Sequence, residues 1–412
     1  MVENGGEFYD RQEVREPEQR AAQMFTALPG LIRHAIDNAP GMAAHLDGVD
    51  AAAVTTPEAL AELPVLRQSE LVAKQAAEPP FGGLAATPIA RLSRVFVSPG
   101  PVAEPESVRT DYWRFARALF AAGFRTGELI HNAFSYHLTP AGMMVEAGAR
   151  ALGCPVVPAG TAPTPRQLEA IARLEPVAYT GTPSFLRSLL DEAAASGRPA
   201  PFARALVAGE ALDEDRRAEF RARDGVDVFQ CYATADLGLV AYESEPRDGL
   251  IVDEAVIVEI VKPGTGDPVG ADEVGEVLVT SFNPDYPLIR FATGDLSAFV
   301  PGISACGRTN RRIRGRLGRA DRSAKVRGRF VHPHQVAEIL GRHGLAKGRF
   351  VVDHAGGDDR LRLLVEAPAA GGDLAEAVGV SLREVTSLRG EVELVRPGSL
   401  GDDDEVIDDR RG

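Results

Sequence analysis

Between residues 129 and 230 the chain repeats one pattern, a short apolar run followed by a stretch with helical spacing. Leu129-Ile130, Val156-Val157, Val177–Tyr179, Leu206-Val207 and Val228–Gln230 read as strands. Between them Met143–Leu152, Arg166–Leu174, Phe185–Ala195 and Asp213–Arg223 read as helices. Strands that alternate with helices in this way build a parallel sheet covered on both faces, so the pattern predicts an α/β fold. Ligands of such sheets bind beyond the carboxyl ends of the strands. The residues just after each apolar run are therefore the first candidates for function.

The flanking regions differ in texture. Residues 1–75 place Met24, Leu28, Leu31, Ile32 and Ala35 on one helical face. Residues 76–110 are rich in proline and glycine and read as loop around one short strand, Arg94–Val97. Trp113–Ala122 reads as a helix. After residue 245, Ala255–Val261 and Glu276–Thr280 alternate like an antiparallel hairpin, and Ile313–Arg316 closes this small β part. The C-terminal segment mixes strands (Phe350–Asp353, Arg362–Glu366, Val392–Val395) with helices (Val336–His343, Asp373–Val378). Two domains are expected, 1–318 and a small α+β domain, 319–412, with a boundary near Arg319–Arg322. A chain of 412 residues, 44% hydrophobic, has apolar material enough for both.

The formal net charge of −14 argues against nucleic acid as the main partner. No apolar run reaches about 18 residues and the first twenty residues lack a signal-peptide pattern, so no membrane association and a cytoplasmic location are expected. Cys154, Cys231 and Cys306 are widely spaced and suggest neither a disulfide framework nor a structural zinc site. His332-Pro333-His334 reads as surface loop rather than a metal pair.

Four segments carry possible chemistry. Tyr286–Phe291 leads into Thr293-Gly294-Asp295, a turn that throws a carboxylate out at a strand end. Taken alone it is either a ribose-binding carboxylate or an ordinary surface turn. Gly318-Arg319-Ala320-Asp321 lies at the domain boundary and reads as a hinge or as a basic linker. Gln230–Gly238 and Val207–Ala211 each follow a strand directly.

In this order the segments resemble the phenylacetate–CoA ligase branch of the adenylate-forming enzymes. Gly209-Glu210-Ala211 is similar to the loop that contacts adenine, and Tyr232–Gly238 to the Tyr-Gly-x-(Ser/Thr)-Glu loop. Thr293-Gly294-Asp295 resembles the ribose motif and Gly318–Asp321 the hinge, with Asp321 as the pivot. His131–Tyr136 and Tyr179–Ser184 resemble the stretches at the acyl pocket. The resemblance spans about Phe8 to Arg410.

It implies ATP (leaving as AMP), Mg2+ and CoA as cofactors and cosubstrates, and a small carboxylic acid, with aromatic acids among the candidates, as substrate. It also implies a homodimer. Ser98, Gly100, Gly209, Glu210, Ala211, Tyr232, Ala235, Asp295 and Arg319 would hold the nucleotide, with Asp236 on magnesium. Phe134, Tyr136, His137, Gly181, Thr182 and Pro183 would line the acyl pocket. Cys306 lies in a turn that can carry a metal-binding cysteine, but Ser244 stands where its partner would be, so no zinc is expected. Arg308–Arg316 is either a solvated face or a patch for CoA phosphates.

Three positions depart from the pattern. Where the family's phosphate loop reads Ser-Ser-Gly-Thr-Thr-Gly-x-Pro, this chain has Val97-Ser98-Pro99-Gly100-Pro101-Val102. Each proline removes a backbone donor. Ala235 stands where a hydroxyl is usual, with Thr234 beside it, and Asp236 replaces a glutamate. The adenylation lysine aligns with Glu405, behind Asp402-Asp403-Asp404. The chain has only four lysines, Lys74, Lys262, Lys325 and Lys347, yet a drift from lysine to arginine would not produce glutamate. Besides a working ligase, two readings stay open: an enzyme that passes an adenylate's acyl group to an amine or another acceptor, and a catalytically impaired nucleotide- or acyl-binding homologue.

Overall fold

The computed structural model describes residues 7–98, 102–210, 212–320, 324–326, 329–331, 333–355, 358–367, 372–401 and 406–410. The chain divides into two compact units. The first runs to Thr293 and includes Ser297–Arg316, and the second comprises Gly294–Leu296 and the chain from Leu317 onward.

The strands of the first unit are β1 (Leu66–Arg67), β2 (Leu92–Ser98), β3 (Val102–Ser107), β4 (Ile130–Asn132), β5 (Val156–Pro158), β6 (Ala178–Gly181), β7 (Arg204–Val207), β8 (Asp227–Thr234) and β9 (Gly238–Tyr242). Further on are β10 (Leu250–Val252), β11 (Val256–Val261), β12 (Gly275–Ser281), β13 (Phe291–Ser297), β14 (Phe299–Val300) and β15 (Arg312–Ile313). The nine-stranded sheet has the order β14-β15-β10-β9-β8-β7-β6-β4-β5. From β5 to β8 every neighbouring pair is parallel, and from β8 to β14 every pair is antiparallel. A second sheet runs β1-β13-β12-β11. The fold is α/β, as the alternation predicts.

Strand periodicity explains the packing. Ala178, Leu206, Phe229 and Cys231 face one layer, where Phe115, Leu119, Met144 and Leu152 pack from the helices Phe115–Ala121 and Ala141–Leu152. Their neighbours Tyr179, Ala205, Val207 and Val228 face the other. There they meet Ile171, Leu186, Leu189, Leu190 and Phe220 from the helical segments between Thr164 and Asp224. Both faces are dry, which is why these strands lack a polar alternation. The helix expected at Asp213–Arg223 is shorter than its pattern: an α-helix, Glu214–Glu219, passes into one π turn, Phe220–Asp224. The expected strand 313–316 is Arg312–Ile313.

The stretch 76–110, read as loop around one strand, contains a full antiparallel hairpin of β2 and β3. Pro105 and the acids Glu104 and Glu106 disguise β3, since these residue types are depleted in strands. Pairing with β2 and a clamp from Gln75 override that propensity. Gln75 Nε2 donates to Ala103 O (2.8 Å) and Gln75 Oε1 accepts from Ala103 N (2.7 Å).

The sheet changes direction at β8. Gln230 is its last residue in register with β7, and Cys231 the first with β9. Glu243, 4% exposed, covers that junction. It accepts from Gln230 N and Gln230 Nε2 (both 2.8 Å) and holds Arg217 in a bidentate pair (2.8 and 3.0 Å).

In the second unit, β16 (Gly318–Arg319) pairs antiparallel with Asp295-Leu296. β17 (Ala324–Val326) and β18 (Arg329–Val331) form a hairpin. β19 (Gly348–Ala355), β20 (Asp358–Glu366), β21 (Glu391–Val395) and β22 (Ile407–Asp409) form a sheet in the order β21-β20-β19-β22. Two helices, Pro333–Arg342 and Gly372–Thr386, set Val336, Ile339, Val378 and Leu382 against Phe350, Val352, Leu361 and Leu363. No helix among the described residues is long and apolar enough to cross a membrane.

Removing the charge of Glu243 while keeping its shape leaves the buried Arg217 with only the exposed Glu214, 3.2 Å from its Nε, as counter-charge. Glu243→Gln is expected to cost about 3–5 kcal/mol of folding stability in urea titrations of the whole chain.

Candidate functional site

The strand order β5-β4-β6-β7-β8 reverses between β4 and β6, which opens a crevice at their carboxyl ends. The loop after β4 carries Phe134, Tyr136 and His137, and the loop after β6 carries Thr182 and Pro183. Gly209 and Glu210 follow β7, and Ala235 and Asp236 lie between β8 and β9. One topology thus brings these candidates to one edge of the sheet. Gly100, Ala211, Asp321, His332 and Glu405 lie outside the described residues.

Asn132, fully buried, organises the crevice. Its Nδ2 donates to the Tyr136 hydroxyl (2.7 Å) and to Gly142 O (2.9 Å). Its Oδ1 accepts from the Thr180 hydroxyl (3.0 Å) and from Phe134 N (3.2 Å). Every polar atom of the amide is used, so the loop after β4 is locked to the helix Ala141–Leu152 and to β6. Gly181 is required here by space: a Cβ would stand 2.1 Å from the Tyr179 hydroxyl. His137 is held to the rim by Thr161 Oγ1, 3.2 Å from Nδ1. His131 lies in the core, stacked on Tyr179 with Nε2 2.7 Å from Gln167 Oε1, and burial lowers its pKa.

Glu210 reaches the start of the helix Pro183–Ala195 and accepts from Ser184 N (3.2 Å) and Ser184 Oγ (2.8 Å). Thr182 caps the same helix by accepting from Phe185 N (3.3 Å). A carboxylate is favoured there by the free N–H groups of the first turn. The loops after β6 and β7 are thereby joined.

The turn after β8 is shaped by Thr234, whose hydroxyl accepts from Leu237 N (3.1 Å). Tyr232 is buried in the core beside β9. Asp236 keeps part of its surface in solvent, but its Oδ1 is shielded and has no partner among the described residues, and burial pushes its pKa up to about 6. Ser98 Oγ, at the end of β2, is also shielded, with no hydrogen bond among the described residues.

A residue absent from the sequence reading senses both. Glu104, on β3, is 1% exposed, and among the described residues neither carboxyl oxygen has a hydrogen-bond partner. Burial, reinforced by the charge of Asp236, raises its pKa to about 8. The hydroxyl and amide of Ser98 ease this rise while staying outside good hydrogen-bond geometry. The Tyr286 hydroxyl accepts from Gln75 Nε2 (3.3 Å), and its pKa is raised by burial first and then by Asp236 and Glu104. An acid in a segment read as loop passes for a solvated one. The signal that could have found Glu104 is the alternation of Val102, Glu104 and Glu106 once β3 is recognised as a strand.

In the second unit, Asp295 and Arg319 face each other across β13 and β16, Nη1 to Oδ1 3.5 Å. Gly294 has φ +71°, and a Cβ there would lie 2.7 Å from Arg319 Nη2. Only glycine lets the guanidinium lie across the backbone here, and the expected turn at Thr293-Gly294-Asp295 is in fact part of strand β13, drawn straight by its pairing with β12 and β16. In the first unit, Cys306 Sγ lies 3.3 Å from the Ser244 hydroxyl and 3.2 Å from that of Ser304.

A carboxyl whose folded-state pKa lies above its unfolded value stabilises the protein at low pH, and that contribution fades as pH rises to the folded value. For Glu104 the window runs from about 4.5 to about 8. With a chelator present, wild-type stability is expected to fall relative to Glu104→Gln across this window, by up to roughly 1.4 kcal/mol per pH unit. Urea unfolding of both proteins at several pH values measures it, and parallel curves would contradict it.

The family model for AMP-binding enzymes matches residues 133–283, which include the crevice loops and the turn at Asp236. A phenylacetate–coenzyme A ligase of Aromatoleum evansii is 29% identical over 381 residues, covering 88% of this chain and 84% of the relative. One from Thermus thermophilus is 31% identical over 330 residues, covering 76% and 73%. Among solved structures, an open form of 2-hydroxyisobutyryl-CoA ligase, in complex with 2-HIB-AMP and CoA, superposes with a TM-score of 0.88 at 23% identity, covering 98% of this chain and 94% of that one. Sequence identity, coverage and the ordered loops agree, and the chain belongs to the phenylacetate–coenzyme A ligase family of AMP-binding enzymes.

Proposed function

We propose that the protein is an AMP-forming acyl- or aryl-CoA ligase. A carboxylate oxygen of the substrate attacks the α-phosphorus of ATP, and pyrophosphate leaves. The thiol sulfur of CoA then attacks the acyl carbon, the thiol proton is lost, and AMP leaves. The observation that carries this reading is the set of loops at the carboxyl ends of β4, β6, β7 and β8, the first three tied by Asn132 and Glu210, in a chain of this family.

In this reading Gly209–Ala211 and Tyr232 receive adenine, Asp295 and Arg319 the ribose, and Ser98 and Gly100 the phosphates. Phe134, Tyr136, His137 and Gly181–Pro183 surround the acyl group, with small carboxylic acids, aromatic ones included, as substrates. Residues 319–412 form a lid that turns about Asp321 between the two half-reactions.

Asp236 is the residue that would hold magnesium. Its shielded, unpartnered oxygen is a hard donor of the kind that ion takes, and this supports the assignment. When bound, the ion neutralises charge on phosphate oxygens.

Glu405 favours a second reading. A carboxylate repels phosphate where a lysine would attract it. Adenylation would then be slow, and the chain would transfer an acyl group from an adenylate, to an amine for instance, or only bind nucleotide and acid.

Carboxylate-dependent exchange of labelled pyrophosphate into ATP separates these readings, run with a panel of aryl and short acyl acids. Exchange is expected in the wild type, rising roughly tenfold or more in Glu405→Lys and falling about a hundredfold in Asp236→Asn. Silence in both the wild type and Glu405→Lys, with AMP still bound in calorimetry, would replace the ligase reading by the second one.

A further inference from the structure

The buried acids of the first unit follow a rule with one exception. Glu13 has Arg308 at 3.1 Å, Glu106 has Arg94 at 2.8 Å, Glu243 has Arg217 at 2.8 Å and Glu254 has Arg20 at 2.8 Å. Glu104 is as deeply buried as any of them, and among the described residues no ion pair reaches it. In a chain so rich in arginine the exception needs a physical cause, because an isolated buried carboxyl costs several kcal/mol.

The surroundings of Glu104 narrow that cause. Asp236 acts on it through charge and not through a hydrogen bond, so the two carboxyls do not share a proton across a short O–H···O contact. Asp236 Oδ1 and Ser98 Oγ are both shielded from solvent without partners. Glu104 and Asp236 are thus shielded carboxyls with unused lone pairs that sense each other's charge, and Ser98, on the strand paired with β3, adds a third such oxygen. Gln75 fixes the backbone of Ala103 from both sides, which sets the direction of the next side chain. Hard oxygen donors, two of them carboxylates, match a divalent cation such as Mg2+ or Mn2+.

We propose that Glu104 and Asp236 together hold a divalent cation, with Glu104 as a second carboxylate ligand supplied by the phosphate hairpin itself. This rests on the reading of Asp236 as the residue that holds the metal. Two carboxylates balance the charge of one dication, so the ion binds before any nucleotide arrives.

The test titrates Mn2+ alone into the full chain without nucleotide, with free Mn2+ followed by electron paramagnetic resonance. Wild type, Glu104→Gln and Asp236→Asn are compared, and AMP binding is measured separately by calorimetry. One Mn2+ site is expected in the wild type, weakened about tenfold or more in each variant. Mn2+ should raise the Tm of the wild type and leave that of Glu104→Gln unmoved. The metal-free Tm of Glu104→Gln should equal or exceed that of the wild type, which would show that the variant folds and that the buried carboxyl is a burden without its ion. Wild-type Mn2+ affinity in Glu104→Gln would overturn the proposal. A wild type that binds AMP but no Mn2+ would overturn it and leave the ligase reading standing, whereas one that binds neither would overturn both.

Discussion

The large unit depends on a single junction inside β8. A strand that serves a parallel neighbour on one side and an antiparallel neighbour on the other must change its hydrogen-bond pattern midway, and backbone groups at the change lose their ladder partners. Gln230 is that residue, and Glu243 restores what it loses by accepting from its amide and side chain while donating its own amide to Gln230 O (3.0 Å). The charge this brings indoors is met by Arg217, which also donates to Val228 O. A bidentate guanidinium–carboxylate pair suits this task because both ions keep their hydrogen bonds after losing water.

One part of the candidate site follows directly from that junction. Past Gln230 the strand runs on beside β9 and ends at Thr234, which caps the turn that presents Asp236. The reversal between β4 and β6 opens the neighbouring crevice, and Asn132 ties its two walls together. The hairpin of β2 and β3 brings Glu104 and Ser98 to the same region, with Gln75 linking it to Tyr286. Polar groups here fall into two kinds. Asn132, Glu210 and Gln75 have their hydrogen bonds filled and position the loops, whereas Glu104, Asp236 and Ser98 keep shielded atoms unfilled. The second kind costs stability and marks where a ligand belongs.

Much of this was legible from residues alone. Apolar runs such as Leu206-Val207 and Val228–Gln230 announce strands buried on two faces, and the loops after them hold the candidates. Thr293-Gly294-Asp295 and Gly318-Arg319, read as a turn and as a hinge or linker, are instead paired strand segments of β13 and β16, a pairing that neither local composition nor motif likeness announces. The hairpin strand β3 was illegible, because Pro105 and two acids contradict strand propensity, and only pairing with β2 and the clamp by Gln75 overrule it. Glu104 went unseen with it. The π turn at Phe220–Asp224 was equally hidden, since helical periodicity does not register one extra residue in a turn.

The sequence by itself determined the α/β class, the succession of loops after strands and the family, because hydrophobic period and motif order are local properties carried along the chain. It also determined the departures at Pro99, Pro101, Ala235 and Glu405, which are matters of identity. Only the tertiary structure decided which acids are balanced and which are not. Glu13, Glu106, Glu243 and Glu254 look no different from Glu104 in a sequence, and each is neutralised by an arginine that folding alone brings close. Charge compensation is a property of distance in space, so the one unbalanced carboxyl beside Asp236 emerges only when the chain is folded.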